Sequence, residues 1–373
     1  MSELSRWLDR RADEMAELLM ELVSIPSENP PGAERERCAQ VLHDALARLS
    51  FAPSFLEGPC VRGELGEGDE LIYFHGHFDV VPAQSVAQFQ PRRAEGRITG
   101  RGTADMKGGL VSMLYGAAAA RDLGLLEGRR IVFHGVCDEE TGSTDGSGKL
   151  QAAGLIDPTA IAMLTAEPTG GVIWHAARGA ITLRVTIAGR EAHVGHVQLG
   201  ENAFEHLIAI AAPLADLSHE LLERDSMLVI GGQAGAGANF NVVPGSAWFS
   251  VDRRFNPDES LEEELTKLQR LIASTAAARG ASVEVDVLQA QPSGVTDPSS
   301  PAALALAACV GGEPTFEMCP GVLDTRWYSQ LGIPAFAYGG GRLDVSHGPD
   351  EFISESAMRA CASVYASFVG RSF

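Results

Sequence analysis

The residues of this chain best suited to chemistry follow runs of apolar ones. The stretch "IVFHGVCDEETGS", Ile131 to Ser143, begins as a β-branched and aromatic run and ends in three acids, Asp138, Glu139 and Glu140. A carboxylate at the end of a strand that must be buried is costly unless it is paired, protonated or bound to a cation. Four other segments, two following apolar runs, one preceding a small-residue helix and one past the strand "IPAFAYGGG", carry further such groups. "ELIYFHGHFD" runs into His75, His77 and Asp79, "GRGTAD" ends at Asp105, "AIAMLTAEP" reaches Glu167, and "RLDVSHGPDE" carries His347. Ligands of an open α/β sheet bind at the carboxyl ends of its strands, so these segments are expected to deliver their side chains to one edge.

Taken singly, each signal has a bland reading. A histidine past a strand is commonly structural, Asp105 before a helix suits an N-cap, and Glu167 before Pro168 suits a turn. Together, two imidazoles and several carboxylates without thiolates suit zinc or another borderline divalent ion. Without a cation such a cluster would repel itself. Two ions sharing a bridging carboxylate fit the number of ligands better than one. Neighbouring residues leaving a strand point in different directions, so one of Glu139 and Glu140 can bind metal while the other faces the attacking water. A divalent ion lowers the pKa of bound water from ~15.7 to ~7, within reach of a carboxylate base. His77 and Asp79, two residues apart, suit a ligand and its orienting carboxylate.

The elements that must position these groups follow from periodicity. Residues 3–24 and 33–50 read as helices flanking the Pro-rich turn "SIPSENPPGA". Strands without strict polar alternation then alternate with helices, among them the small-residue helix "MKGGLVSMLYGAAAARDLG". This predicts an α/β sheet covered on both faces. Near residue 177 the strands begin to alternate, and the order becomes β-α-β-β-α-β, that of a ferredoxin-like sandwich. The first style returns with a helix at 301–310, the strand "IPAFAYGGG" and a closing helix near 353–370. The expectation is one α/β domain (1–176 and 288–373) interrupted by an α+β domain (177–287).

Composition narrows the partners. The chain has 373 residues, 45% hydrophobic and 21% charged, with a net charge of −20. A sequence pI near 4.9 disfavours nucleic acid and anionic membranes. The six cysteines show no C-x-x-C pair and fit a reducing compartment. The charged N-terminus lacks the apolar run of a signal peptide, and no segment is long enough to span a bilayer, so a cytoplasmic location is expected.

In order along the chain, "HGHFDVVP", "GRGTADMKGG", "DEETG", "AEPT" and "SHGPDE" resemble the M20 metallopeptidase and deacylase family. That family includes acetylornithine deacetylase, succinyl-diaminopimelate desuccinylase, aminoacylases and glutamate carboxypeptidases. The resemblance covers nearly the whole chain. It implies a zinc-exopeptidase-like mixed sheet flanked by helices, with the inserted ferredoxin-like domain as lid and dimerisation surface. It further implies that His77, Asp105 and Glu167 bind one ion, that Asp105, Glu140 and His347 bind the other, and that Asp105 bridges. Glu139 would be the general acid/base and Asp79 would support His77; His75 receives a structural role. "GREAHVGHVQLGENAF" resembles the segment holding a histidine that enters an active site, often the partner subunit's, and His193 aligns with it. Val194 and Gly195 stand where small hydroxyl residues are usual, which leaves His196 as a rival. Asn241 and Arg254 match a substrate-binding segment. "GVLDTRW" keeps Arg326 of a Gly-Thr-Ser-Asp-x-Arg segment, with Val322 and Leu323 in place of the small hydroxylated pair. Arg178 is either an anion-binding residue or half of a structural ion pair.

The reading that results is a hydrolase with two divalent ions per chain, zinc by preference and cobalt or manganese otherwise. It would cleave the amide of an N-acyl amino acid, as a deacetylase or desuccinylase does, and would work as a homodimer. The alternative within the family is a carboxypeptidase or dipeptidase. From other classes, the rivals are a non-catalytic binding relative and a one-metal enzyme.

Overall fold

The computed structural model of the chain describes residues 2–56 and 58–373. The chain forms two compact units. The first comprises Met1–Ala176, Val295–Cys319 and Leu323–Phe373; the second comprises Ala177–Gly294 with Pro320–Val322.

The strands that matter here are, in chain order, β1 (Ala52–Phe55), β2 (Val61–Leu65), β3 (Glu70–His77), β4 (Arg129–Val136), β5 (Ala162–Thr165), β6 (Ile173–Ala177), β7 (Gly179–Ala188), β8 (Met227–Ala236), β9 (Ser246–Phe255), β10 (Ser282–Gln291), β11 (Gly294–Val295), β12 (Phe316–Cys319) and β13 (Ala335–Ala337). A mixed sheet runs β1-β2-β4-β3-β5-β13-β6-β11, with β12 paired to β6. Its centre is parallel: β4, β3, β5 and β13 pair in that sense, while β2 joins β4 antiparallel. From Leu71 to His77, β3 is buried on both faces, as a strand covered by helices on either side must be.

The helix Gly108–Asp122 covers one face of the sheet and packs against the closing helix Glu355–Val369. Every residue from Gly108 to Ala120 is buried, which explains the run of small side chains. A Cβ on Gly109 would lie 2.2 Å from the carbonyl oxygen of Ala166, and one on Gly116 would lie 2.7 Å from that of Ala362. Glycine is required there because backbone meets backbone. Ser300 and Ser354 cap the helices Pro301–Val310 and Glu355–Val369 by accepting from Ala303 and Ala357 N–H.

In the second unit the sheet runs β8-β9-β7-β10, antiparallel throughout, with helices Ala203–Leu222 and Leu261–Ala278 packed on it. Ile181, Leu183, Val185 and Ile187 alternate inward along β7 and face Ile210, Leu214, Leu268 and Ile272 in one core. Each such fully buried side chain contributes ~1.5–3 kcal/mol.

Three local differences from the periodicity have physical causes. The helix expected over 3–24 is two helices, Glu3–Asp9 and Ala12–Val23. The apolar face continues across the break as Trp7 and Leu8, then Met15, Leu18, Leu19 and Leu22, so periodicity reads through it. The last strand of the second unit runs to Gln291, beyond the alternating stretch "SVEVDVL" that ends at Leu288. A register shift between Val287 and Gln289 interrupts the alternation there. β1 and β2 carry Pro53 and Gly63, and β1 is short and mostly exposed, so neither reads as a strand.

Candidate metal centre and active site

The residues of the five acidic and imidazole segments converge within the first unit. His77 closes β3. Asp105 sits in the turn that enters the helix Gly108–Asp122, Glu139 and Glu140 follow β4, Glu167 follows β5, and His347 lies in the loop after β13. Parallel strands in register place their carboxyl ends together: His77 pairs opposite Val136, and His75 opposite Thr165.

Two triads result, each with ligand atoms within 4.8 Å of one another: His77, Asp105 and Glu167, and Asp105, Glu140 and His347. The oxygens of Asp105 divide between them. Oδ1 lies 3.3 Å from His77 Nε2, and Oδ2 lies 3.3 Å from His347 Nε2. Glu167 Oε2 is 3.8 Å from His77 Nε2, and Glu140 Oε1 is 3.4 Å from His347 Nε2. Glu140 Oε1 is buried and makes no hydrogen bond.

The titration of these groups reports the crowding. Burial pushes the Glu167 carboxyl up to about 7, against the pull of His77. Burial also raises Glu139 well above the usual carboxylate range, and Glu167, Asp324 and Glu140 add to the rise. Asp105 is held well below that range because His347 and His77 outweigh its burial. The carboxylates of Asp105 and Glu140 push His347 up to about 10. Burial alone would depress His77, but bonds to Asp105, Asp79 and Glu167 raise it well above its ordinary value. A divalent cation between these carboxylates would offset their mutual repulsion. The donor set, with oxygens and imidazole nitrogens and no thiolate, fits zinc, cobalt or manganese.

Contacts behind the ligands fix their orientation. His77 Nδ1 donates to the carbonyl of Asp79 at 3.0 Å, and the Asp79 carboxylate lies at 3.4 Å, so Nε2 faces Asp105. The Asp79 carboxylate also accepts from the backbone N–H groups of Glu139 (3.3 Å) and Glu140 (3.2 Å). Asp79 therefore ties one ligand strand to the acidic turn, a role that its spacing from His77 does not reveal. Asn29 completes this corner: its amide nitrogen reaches Asp79 Oδ2 at 3.1 Å, Asp138 Oδ1 at 3.0 Å and Thr141 Oγ1 at 2.8 Å.

At its other end the acidic turn is held by Asp324, which is fully buried. Ser143 Oγ donates to Oδ1 at 2.5 Å, Ser147 Oγ donates to Oδ2 at 2.6 Å, and His75 Nε2 donates to Oδ2 at 2.9 Å. With Nε2 protonated, His75 Nδ1 accepts from the Tyr328 hydroxyl (3.0 Å), which in turn accepts from His134 Nδ1 (2.9 Å). Burial holds His134 well below its ordinary value and so neutral. Asn29, Ser143, Ser147 and Asp324 are not singled out by the sequence, and Asp138 stands out there only as one of three consecutive acids. Asn29 lies in a stretch that reads as a turn, and the serines are unremarkable in composition.

The remaining predicted residues lie elsewhere. Arg326 is fully buried; its Nη2 approaches Gly142 O (3.5 Å) and Ser143 Oγ (3.4 Å), and its Nη1 stands 3.6 Å from Asp324 Oδ1. Within the second unit, Arg178 is buried against Asp225, with Nη2–Oδ2 at 3.0 Å, and bonds Asn256. Arg254 holds Asp252 through Nε and Nη2, at 2.7 and 3.1 Å. His193 is exposed and its Nδ1 accepts from Gly195 N–H at 3.1 Å; His196 is exposed as well. Ala192–His193 pairs with Val242–Val243, and Val194 N–H donates to Asn241 O, so His193 and Asn241 are neighbours.

Residues 73–371 match the model of peptidase family M20/M25/M40. The chain belongs to that family. It is a hydrolase of the metallopeptidase and amidohydrolase kind, and its two triads form the candidate metal centre. A putative succinyl-diaminopimelate desuccinylase of Mycobacterium tuberculosis is 28% identical over 375 residues, which cover 97% of this chain and 99% of the relative. In fold, the chain is similar to an M20 family metallo-carboxypeptidase from Sulfolobus solfataricus, with a TM-score of 0.81, 17% identity and coverage of 96% and 98%. It is also similar to the YXEP protein of Bacillus subtilis, described as a dinuclear metal-binding peptidase of the M20 family, with a TM-score of 0.73, 18% identity and coverage of 97% and 98%.

Proposed function

We propose that the chain hydrolyses the amide bond of an N-acyl amino acid, with Glu139 as general base and acid. The observation that carries this reading is the shared carboxylate of Asp105 between two imidazole-containing triads, with Glu139 beside them and in neither. The full-length likeness to a putative desuccinylase supports an acyl amino acid as the substrate. His77, Asp105 and Glu167 would hold one divalent ion, and Asp105, Glu140 and His347 the second. Such ions would polarise the amide carbonyl and acidify the attacking water.

The chain's own residues supply the rest. Glu139 is partly exposed, and burial together with Glu167, Asp324 and Glu140 raises its carboxyl above the usual range, which makes it a better proton acceptor than an ordinary carboxylate. It takes the proton of the attacking water and delivers it to the leaving nitrogen. Asp79 sets the base in place through the Glu139 N–H, and Ser143 and Ser147 anchor the turn on Asp324. Of the substrate-facing candidates, we assign Asn241 and Arg254 to a substrate carboxylate and His193 to the oxyanion. Arg178 and Arg326 serve as anchors.

We further propose a homodimer through the second unit, in which the exposed Val229 lies on the edge strand β8 and His193 acts in the partner's site. Mixing Glu139→Ala chains with His193→Ala chains should then restore up to about half the activity per dimer. The free cysteines and the absence, among the described residues, of any helix able to cross a membrane accord with a cytoplasmic enzyme. Hydrolysis of N-acetyl and N-succinyl amino acids and of dipeptides by zinc-loaded protein tests the substrate class. Turnover of dipeptides alone would replace the deacylase with a dipeptidase.

A further inference from the structure

His347 is the weakest-placed member of the two triads. Its side chain is 46% exposed, it belongs to a loop, and its backbone is left-handed (φ +63°), a conformation disfavoured for any residue with a Cβ. Something must hold it against Asp105 and Glu140. Directly behind it stands a buried ion pair that no step of the hydrolysis uses. Arg101 Nη1 meets Glu351 Oε2 at 2.6 Å, and both side chains are at most 1% exposed.

The pair touches both sides of the outer triad. Arg101 Nη2 donates to the carbonyl of His347 at 3.1 Å, and Nη1 reaches the carbonyl of Gly348 at 3.4 Å. The other oxygen of Glu351 accepts from the backbone N–H groups of Ala104 (2.9 Å) and Asp105 (3.1 Å). One guanidinium and one carboxylate thus connect the backbone of the bridging ligand to the backbone of the loop-borne ligand. The inner triad meets the pair only through the shared Asp105: His77 closes the buried strand β3 and Glu167 follows β5, and the contacts that orient His77 come from Asp79.

We infer that Arg101 and Glu351 are positioning residues for the second divalent ion. They set the separation of Asp105 and His347 and so tune affinity at the Asp105–Glu140–His347 position without touching the ion. The inference rests on the two-ion reading above. Outer partners of this kind typically change metal affinity by ~10–100-fold when removed.

The test is a stepwise Zn2+ titration of the ion-free protein against a competing chelator, for wild type, Glu351→Gln, Arg101→Lys and the double variant. His347→Ala identifies the outer step by abolishing it. The expected result is an outer constant weakened by about ten- to a hundredfold in each single variant, with the inner constant within about threefold. The double variant should be hardly worse than the singles, because the two side chains act as one unit. Equal loss at both steps, or no loss at either, overturns the inference. So does failure of both ion-free single variants to fold at 25 °C by circular dichroism, since the pair would then serve the whole fold. A wild-type protein that takes up one ion only defeats the two-ion reading itself, and this inference with it.

Discussion

The two triads share Asp105 yet are built on different principles. In the inner one, His77, Asp105 and Glu167 are all buried, and two of the three extend directly from strands of the central sheet. In the outer one, Glu140 lies in a turn and His347 in an exposed loop. The inner position is preorganised by the hydrophobic core, because β3 and β5 cannot shift without disturbing packing on both sheet faces. The outer position is preorganised by polar contacts between loops, through Asp79, Asp324 and the Arg101–Glu351 pair. A site of this design can vary its outer half by loop substitution while the inner half stays fixed.

The largest expected effect belongs to the acid that is in neither triad. Glu139→Ala should retain both ions and lose about two to four orders of magnitude in kcat. Glu140→Ala should instead weaken the outer ion. Metal stoichiometry and kcat on the same preparations check the pair. If Glu140→Ala retains two ions and Glu139→Ala loses one, the roles are exchanged.

The next comparison sets the two histidines against each other. His77→Ala removes the buried partner of Asp105 and Glu167, and the uncompensated carboxylates should cost about 3–5 kcal/mol in the ion-free protein. His347→Ala removes a side chain that solvent partly screens and should cost within about 1 kcal/mol, while abolishing uptake of the outer ion. Urea unfolding of the ion-free variants measures both. Equal destabilisation would mean that the core does not distinguish the inner triad.

The difference between the triads also explains what could be read from the sequence. Ligand segments are legible because buried strands followed by His, Asp or Glu break the expected burial pattern, and five segments carrying such residues in one chain invite a common edge. The ferredoxin-like order is legible from alternation in strands such as Gly179–Ala188, where one face is buried. The devices that hold the loops are not legible. Asn29 reads as a turn residue, Arg101 and Glu351 are 250 positions apart, and Asp324 meets Ser143 across 181. Nothing local marks a pairing that only the closed fold creates. Arg326 shows the converse: it is chosen for its charge and motif position, but it lies buried beside the turn it supports.

Asp324 allows a smaller, pH-dependent test. His75 and Arg326 hold its carboxyl well below the usual range, against its burial. A depressed carboxyl stabilises the fold above its unfolded pKa of about 3.9, and that stabilisation is lost as pH falls toward the folded value. Asp324→Asn should therefore be less stable than wild type by about 1–3 kcal/mol at neutral pH, with the gap narrowing below about pH 4. Its kcat should fall about tenfold as the Glu139 turn loosens, with KM nearly unchanged. A stability gap independent of pH would show that shape and not charge is what Asp324 contributes.

The smallest effect is expected at Asn29. Its amide supplies hydrogens to Asp79 and Asp138, two carboxylates that both brace the acidic turn. Neither depends on Asn29 alone. Asp79 keeps the N–H groups of Glu139 and Glu140, and Asp138 keeps that of Asp145 at 2.8 Å together with Thr141. Asn29→Ala should therefore loosen the turn only partly, lowering kcat and outer-ion affinity several-fold, on the order of 1 kcal/mol, and leaving the inner ion alone. Asn29→Asp is the sharper variant despite its smaller change in shape. It replaces two donors by a third carboxylate facing Asp79 and Asp138, and like charges so placed repel in a buried corner. It should be clearly worse than the alanine variant and should recover toward it on acidification, as one of the three carboxyls takes up a proton. If the aspartate variant is no worse than the alanine variant at neutral pH, donation by the Asn29 amide is not what keeps the outer half of the site in place.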